Sequence, residues 1–289
     1  MDTNAQDPLN LPVLRTQAWQ MSYGERAGLE GLVSQVAPGL AVEIGTAEGG
    51  SLKRIAAHSD EVHSFDLVGP AEDVAQLENV TFHTGDSHQL LGEFLERAAS
   101  ERRSIDFVLI DGDHSADGVR RDILDVLDSD AVTRTVIVLH DTLNPEVRRG
   151  IEAAQPAQHP KVALYELDLV PGYLARREPY RLQLWGGLGL IVVDADQQRQ
   201  SSSPVQDDRF HELFRVVRPT VDVMVELETR GTKLDELSGA EVEAALRRER
   251  AESGAERGHL AAQLEAIQGS RGWRLILLLR ELRLLVSKR

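Results

Sequence analysis

Val42-Glu43-Ile44-Gly45-Thr46-Ala47-Glu48-Gly49-Gly50-Ser51 runs an apolar strand end into a glycine-bearing turn, and the residues after it have helical spacing. Glycine after a strand lets the backbone turn tightly and approach a ligand with no Cβ in the way. The helix that follows presents unpaired N–H groups and the positive end of its dipole, a seat for a carboxylate. The spacing is E-x-G-x-x-x-G, which differs from the G-x-G-x-x-G of dinucleotide-binding turns. An acid just before the first glycine repels a pyrophosphate and suits a cationic ligand or an amino group. The turn therefore points to S-adenosylmethionine rather than NAD.

The pattern continues on both sides of this stretch. Apolar runs of strand length recur at 40–44, 62–65, 80–83, 105–110, 136–139, 162–169 and 188–193. Several are continuously apolar, as strands covered on both faces are. Segments of helical spacing lie between them at 52–58, 89–99 and 118–127. Strand–helix alternation predicts an α/β fold, a Rossmann-like three-layer sandwich on a mainly parallel sheet. Ser22-Tyr23-Gly24-Glu25 has capping-box spacing and predicts a helix to about Val36, stopped by Pro38-Gly39. The chain divides into a helical lead-in (1–39), the α/β domain (40–194), a polar linker (195–208) and a helical tail (209–289).

Composition sets the limits. The 289 residues are 42% hydrophobic and 27% charged, enough for a real core, but only 4% aromatic. There is no cysteine, which excludes a disulfide scaffold, thiolate metal sites and a thiol nucleophile. A formal charge of −15 argues against a nucleic-acid partner. Residues 1–12 lack the basic and apolar regions of a signal peptide, and no apolar run is long enough for a bilayer span, so a cytoplasmic protein is expected. Within 271–289, Arg271, Arg274, Arg280, Arg283, Lys288 and Arg289 face Glu281 alone, while Leu275, Leu278, Leu279, Leu282 and Leu285 line one helical side. That segment reads as a helix docked on the body or on a second copy in a homo-oligomer, or as a peripheral contact with anionic lipid.

Acidic residues gather at the predicted strand ends. Asp66 ends the second strand, where an acid pairs with ribose hydroxyls. Asp86, followed by Ser87, ends the third, placed to accept from an adenine amino group, although a helix cap is an equally good role for it. With Glu43, Gly45, Thr46, Gly49 and Ser51 these form the expected donor site. The fourth strand ends in Ile110-Asp111-Gly112-Asp113-His114-Ser115 and the fifth in Val138-Leu139-His140-Asp141-Thr142. Two acidic clusters at neighbouring strand ends suit a hard divalent cation, Mg²⁺ or Mn²⁺. The competing reading caps a helix with Asp113 and buries His140 in the core.

These motifs resemble the class I S-adenosylmethionine-dependent methyltransferases. Residues 43–51 and Asp111-Gly112-Asp113-His114-Ser115 look like the cephalosporin-hydroxylase-like and macrocin-type branch. His140-Asp141-Thr142-Leu143 resembles the Asp-Asn-Thr-Leu stretch of metal-dependent catechol and caffeoyl-CoA O-methyltransferases. The resemblance covers about 40–193. It implies metal ligation by Asp111, His140 and Asp141, with His140 a departure from the family's usual carboxylate or amide. It also implies a donor contact at Asp111 and a general base at either Asp113 or His114, where the catechol-like pattern has Lys. The implied reaction deprotonates a metal-chelated hydroxyl, which then takes the sulfonium methyl.

The acceptor is expected to be a saccharide hydroxyl of a glycan, glycolipid or glycosylated metabolite. Aromatic enclosure of a phenol would need rings that the composition scarcely supplies, and Gly272-Trp273-Arg274-Leu275 looks like the C-termini of some bacterial surface-glycan proteins. Pro171-Gly172-Tyr173 and Trp185-Gly186-Gly187 flank an insert that covers the acceptor or merely turns the chain. Alternatives are methylation of a phenolic or polyketide product, an NAD(P)-linked oxidoreductase, a scaffold that keeps the fold, and an iron site built on His114, His140 and Asp141.

Overall fold

The computed structural model describes residues 19–175, 179–196, 221–222 and 224–225. The expectations for 1–18, for most of the linker and for almost all of the 209–289 tail, the basic 271–289 segment included, lie outside the described residues. The chain separates into two units, Met1–Asp208 and Arg209–Arg289, and the whole α/β architecture belongs to the first.

Its elements run α1 (Tyr23–Val36), β1 (Leu40–Ile44), α2 (Gly50–His58), β2 (Glu61–Asp66), β3 (Val80–Thr84), α3 (Ser87–Ser100), β4 (Phe107–Ile110), α4 (Ala116–Asp128), β5 (Arg134–His140), α5 (Pro145–Ala154), β6 (Val162–Val170), β7 (Tyr173–Leu174), β8 (Leu184–Trp185) and β9 (Leu188–Asp194). Seven strands form one sheet in the order β3-β2-β1-β4-β5-β9-β6. β1 to β5 are parallel, and β9 enters antiparallel between β5 and β6. β7 and β8 make a separate two-stranded ribbon.

Strand parity explains the unbroken apolar runs. Leu40, Val42 and Ile44 face one core, with Val108 and Ile110 of β4 and the buried sides of α3, α4 and α5. Ala41, Phe107 and Leu109 face the other, beneath Leu29 and Val33 of α1 and Leu52 and Ile55 of α2. Both sides of each central strand are dry, so alternation has nothing to mark.

Local signals set the helix ends. Ser22 and Glu25 form the expected capping box, and α1 ends at a left-handed Ala37 (φ 45°) just before Pro38-Gly39. Asp86 caps α3 and Ser115 caps α4, each through its own side chain. α5 is a helix absent from the sequence-based expectation, although Asn144 caps it and Pro145 starts it. The buried Arg148 of α5 forms a two-pronged ion pair with Asp168 of β6, at 2.8 and 2.9 Å, which fixes that helix to the sheet's edge.

Candidate active site

The chain order reverses direction between β1 and β4, and the crevice of an open α/β sheet forms at the carboxyl ends of such strands. Here it has a volume of about 900 Å³, at the upper end of the range for small-molecule sites and roomy enough for two reactants.

The donor side is built on the glycine turn. Gly45 has φ +92°, and a Cβ there would lie 2.1 Å from the carbonyl oxygen of Asp111, so the turn after β1 and the end of β4 touch backbone to backbone. Asp66 fastens this turn: one carboxylate oxygen accepts from the N–H of Thr46 (2.7 Å) and Ala47 (3.0 Å), the other from Val68 (2.9 Å). Gly45, Thr46, Ser51, Asp66, Asp86 and Ser87 all line the crevice, as expected.

Glu43 and Gly49 do not line it. Glu43 shares the parity of Ala41, which turns it under α2, where it is fully buried. Ser51 donates to one of its oxygens (2.6 Å) and Ser64 to the other (3.2 Å). Burial pushes its carboxyl up to about 8, with the Asp111 and Asp66 charges adding to the rise against the two hydroxyls. Glu43 is thus a brace beneath the donor turn, in place of the expected receptor for a cationic ligand. Gly49, left-handed at φ 74°, caps α2.

A segment ahead of α1, expected from the sequence only as lead-in, closes this side. Trp19 packs on Gly50, where a Cβ would meet the Trp19 Cβ at 2.5 Å. Gln20 donates to both oxygens of Glu48. Arg26 stacks over the Trp19 ring and donates to the Trp19 and Met21 carbonyls. The Trp19 indole N–H is buried on the crevice wall with no acceptor among the described residues.

The chemical side sits at the ends of β4 and β5. Asp111, His114 and Asp141 each bring a ligand atom to within 4.8 Å of the others, an O,O,N set that fits a small divalent cation. His114 Nε2 lies 2.9 Å from Asp141 and 3.8 Å from Asp111. Asp141 itself takes a left-handed backbone (φ 54°) and accepts from Gly186 N–H at 2.6 Å, so the loop before β9 helps to aim it.

His140, expected as the third ligand, stands behind this group. Its Nδ1 is 2.8 Å from Asp111 and its Nε2 is 3.1 Å from Glu25, so both ring nitrogens are occupied by carboxylates. His114, rather than His140, is grouped with Asp111 and Asp141. Glu25 is the residue that sequence reasoning missed. It is fully buried on the first turn of α1, accepts from Ser22 N–H, and reaches both His140 and Gly187 N–H (2.7 Å). Its capping-box role explained it locally and hid a contact 115 residues away.

The charges are interlocked. Hydrogen bonds to Asp111 and Asp141 raise His114 to about 9 against partial burial, so it holds a proton at neutral pH in the metal-free protein and is no free base there. Burial works against a charge on His140, but Asp111, Glu25 and Asp141 overcome it and raise its pKa well above the ordinary value. Burial likewise opposes ionisation of Asp111, and His140 and His114 outweigh it, holding the carboxyl below its usual range. Asp113 lines the crevice but is turned into the loop, accepting from the backbone and hydroxyl of Ser115.

Aromatic rings also meet here. Trp185 stands edge-on to His114 at 5.6 Å between centroids, Tyr180 lies 5.4 Å from Trp185, and Tyr173 completes the wall. A low aromatic content for the whole chain does not exclude local enclosure, and Tyr173, Tyr180 and Trp185 are gathered on this wall.

A doubly wound parallel sheet with one antiparallel strand before its last position, a glycine turn after β1 and acids at the next two strand ends define the class I, S-adenosylmethionine-dependent methyltransferase fold. Residues 42–142, about a third of the chain, match the family described as a methyltransferase domain. The match runs from β1 through the Asp141-Thr142 pair. No curated protein matches the sequence. Among solved structures, the chain is similar to an O-methyltransferase from Bacillus cereus in complex with SAH (18% identity, 61% of this chain and 84% of that one, TM-score 0.43). It is also similar to TomG from Streptomyces achromogenes, an O-methyltransferase of tomaymycin synthesis, in complex with SAM (17%, 60% and 81%, 0.44). A third is MycE of the mycinamycin pathway, with Mg and SAH (16%, 60% and 50%, 0.36).

Proposed function

We propose that the protein is an S-adenosylmethionine-dependent O-methyltransferase, assisted by a divalent cation, that methylates a hydroxyl of a saccharide. The observation that carries this reading is the opening of the Asp111–His114–Asp141 group into the same crevice as the Asp66-fastened glycine turn. The donor would lie along the ends of β1 to β3, with its ribose near Asp66 and its base at Asp86 and Ser87. Its carboxylate would satisfy the Trp19 indole N–H and the amino end of α2.

Asp111, His114 and Asp141 would hold the cation. When bound, it lowers the pKa of a hydroxyl, which makes an alkoxide nucleophile accessible at neutral pH. Asp141 is held in place by Gly186 N–H, and Asp111 by His140 and, behind it, Glu25. Asp113 is the remaining candidate for the base. The rings of Tyr173, Tyr180 and Trp185 exclude water from one wall and pack on the apolar face of a sugar. The same rings favour a second reading, a phenolic acceptor, because Trp185 stands at right angles to His114 beside the cluster.

Calorimetric titration with S-adenosylmethionine, with and without Mg²⁺ or Mn²⁺, tests the donor half. Micromolar binding is expected, weakened about 10–100-fold in Asp66→Ala, since one carboxylate organises the whole turn. Absence of binding under every metal condition would sink the proposal. Loss of Mn²⁺ binding in Asp141→Ala, read by electron paramagnetic resonance, tests the cation. Methyl glycosides set against catechols as acceptors separate the two readings.

A further inference from the structure

Both carboxylates of the Asp111–His114–Asp141 group are held, through two separate arms, by a single buried side chain. Glu25, on the first turn of α1, has no solvent exposure and divides its two oxygens. One accepts from the backbone N–H of Ser22 (2.6 Å), which ties the carboxylate to its own helix end. The other meets Nε2 of His140 (3.1 Å) and the N–H of Gly187 (2.7 Å), groups 115 and 162 positions away. Each of these contacts leads on to a different ligand. His140 Nδ1 lies 2.8 Å from Asp111 Oδ1, so the first arm ends on Asp111. The same nitrogen stands 3.5 Å from Asp141. Gly187 follows Gly186, whose N–H reaches Asp141 Oδ1 at 2.6 Å, so the second arm ends on Asp141. Asp141 Oδ2 is left facing His114 at 2.9 Å.

Neither arm has slack. Gly186 and Gly187 are both left-handed (φ 73° and 95°), which glycine adopts at no steric cost, and their consecutive N–H groups serve Asp141 and Glu25 in turn. A Cβ on Gly186 would lie 2.8 Å from the Glu25 oxygen, and one on Gly187 2.5 Å from the Thr142 hydroxyl. The helix that carries Glu25 is set in the core by Leu29 and Val33. The span between Asp111 and Asp141 is therefore fixed by a side chain planted in a helix, and not by the loops that follow β4 and β5 alone. Mg²⁺ demands near-ideal octahedral geometry at about 2.0–2.1 Å, whereas Ca²⁺ takes irregular shells at about 2.3–2.6 Å. A rigid pair of ligands favours the first ion, and a loosened pair can open to the second. We propose that Glu25 is a positioning residue that sets the cation selectivity of the site: pinning Asp111 and Asp141 from one carboxylate holds the group to the span of a small divalent ion and rejects calcium. This inference rests on the cation-assisted methyltransferase reading and deepens it at the metal.

The test follows Mn²⁺ binding by electron paramagnetic resonance, with Mg²⁺ and Ca²⁺ each as competitor, in the full-length wild type, Glu25→Gln and His140→Gln. The wild type is expected to favour Mg²⁺ over Ca²⁺. Glu25→Gln keeps the volume but loses the charge and one acceptor, so at least one of the three N–H contacts is broken. Removing a charge weakens both ions alike, whereas removing the pin should move the Mg²⁺-to-Ca²⁺ preference about tenfold toward Ca²⁺. His140→Gln cuts only the first arm and should move it less. Melting temperatures and titration with S-adenosylhomocysteine on the same samples show which variants are folded. If Glu25→Gln does not fold, His140→Gln decides, and an unchanged preference there overturns the inference. A folded Glu25→Gln that binds both ions more weakly at an unchanged ratio, or a wild type that prefers Ca²⁺, also overturns it, while the methyltransferase reading stands. Wild-type protein that binds no divalent cation overturns the inference and the cation-assisted reading together.

Discussion

Glu43 shows how strand parity decides what an acidic residue does. Ile44 and Gly45, next in sequence, border the crevice, but its own side chain points beneath α2, where Ser51 and Ser64 are its partners. A carboxyl raised from 4.5 to about 8 binds its proton more tightly in the folded chain than in the unfolded one. Its contribution to stability is therefore present below about pH 4.5 and is lost as pH rises toward 8. Glu43→Gln keeps the shape and the hydroxyl partners without the charge. Urea midpoints at pH 5 and pH 8.5 should show the variant gaining on the wild type by a few kcal/mol across this window. A difference that does not change with pH would show that Glu43 ionises freely. Residue identity at strand ends is legible in the sequence, and Asp66, Asp111 and Asp141 are where the motifs place them. Which of two adjacent acids or histidines faces the ligand is not. That depends on parity and on partners such as Glu25, which lies 115 positions from the histidine it holds.

At the scale of elements, the turn between β1 and α2 tolerates no side chain at its first glycine. Gly45→Ala would combine a left-handed backbone with a Cβ 2.1 Å from the Asp111 carbonyl, and neither backbone can yield without moving β1 or β4. A loss of about 2–4 kcal/mol is expected in thermal or urea unfolding, together with weakened donor binding. Gly31, inside α1, is the control: nothing lies within 4 Å of its Cβ position, and Gly31→Ala should stabilise by about 0.5–1 kcal/mol. The central strands β1 and β4 are legible because both faces are dry, whereas the edge strand β3 is partly exposed along its length. α5 escapes a reading by pattern although Asn144-Pro145 announces it, because nothing there ranks a helix start above a turn. The pairing of β9 with β5 cannot be read at all, since antiparallel entry is set by the path of the preceding loop.

Across the whole molecule, the far edge of the sheet depends on the Arg148–Asp168 pair, which joins α5 to β6 in a dry environment. Asp168→Ala removes the two-pronged, buried partner of Arg148, which keeps only a longer contact with the exposed Glu152, and should cost about 3–5 kcal/mol in equilibrium unfolding. The double variant Arg148→Met, Asp168→Leu should recover most of this, since two apolar groups can share the space that the ions leave. No helix among the described residues is long and apolar enough to cross a membrane.

The reversal that carries β9 back into the sheet has a further effect. The chain leaves the sheet after Val170, passes through Tyr173, Tyr180 and Trp185, and returns at Leu188, with both ends of the excursion locked into neighbouring strands. The glycine-turn side of the crevice is drawn from the first half of the chain, and Tyr173, Tyr180 and Trp185 from this one detour. Under the proposed function, mutations confined to this single detour would recut the acceptor wall while the donor's seat is inherited intact. Within such a lineage, diversity in what is methylated should be concentrated between β6 and β9.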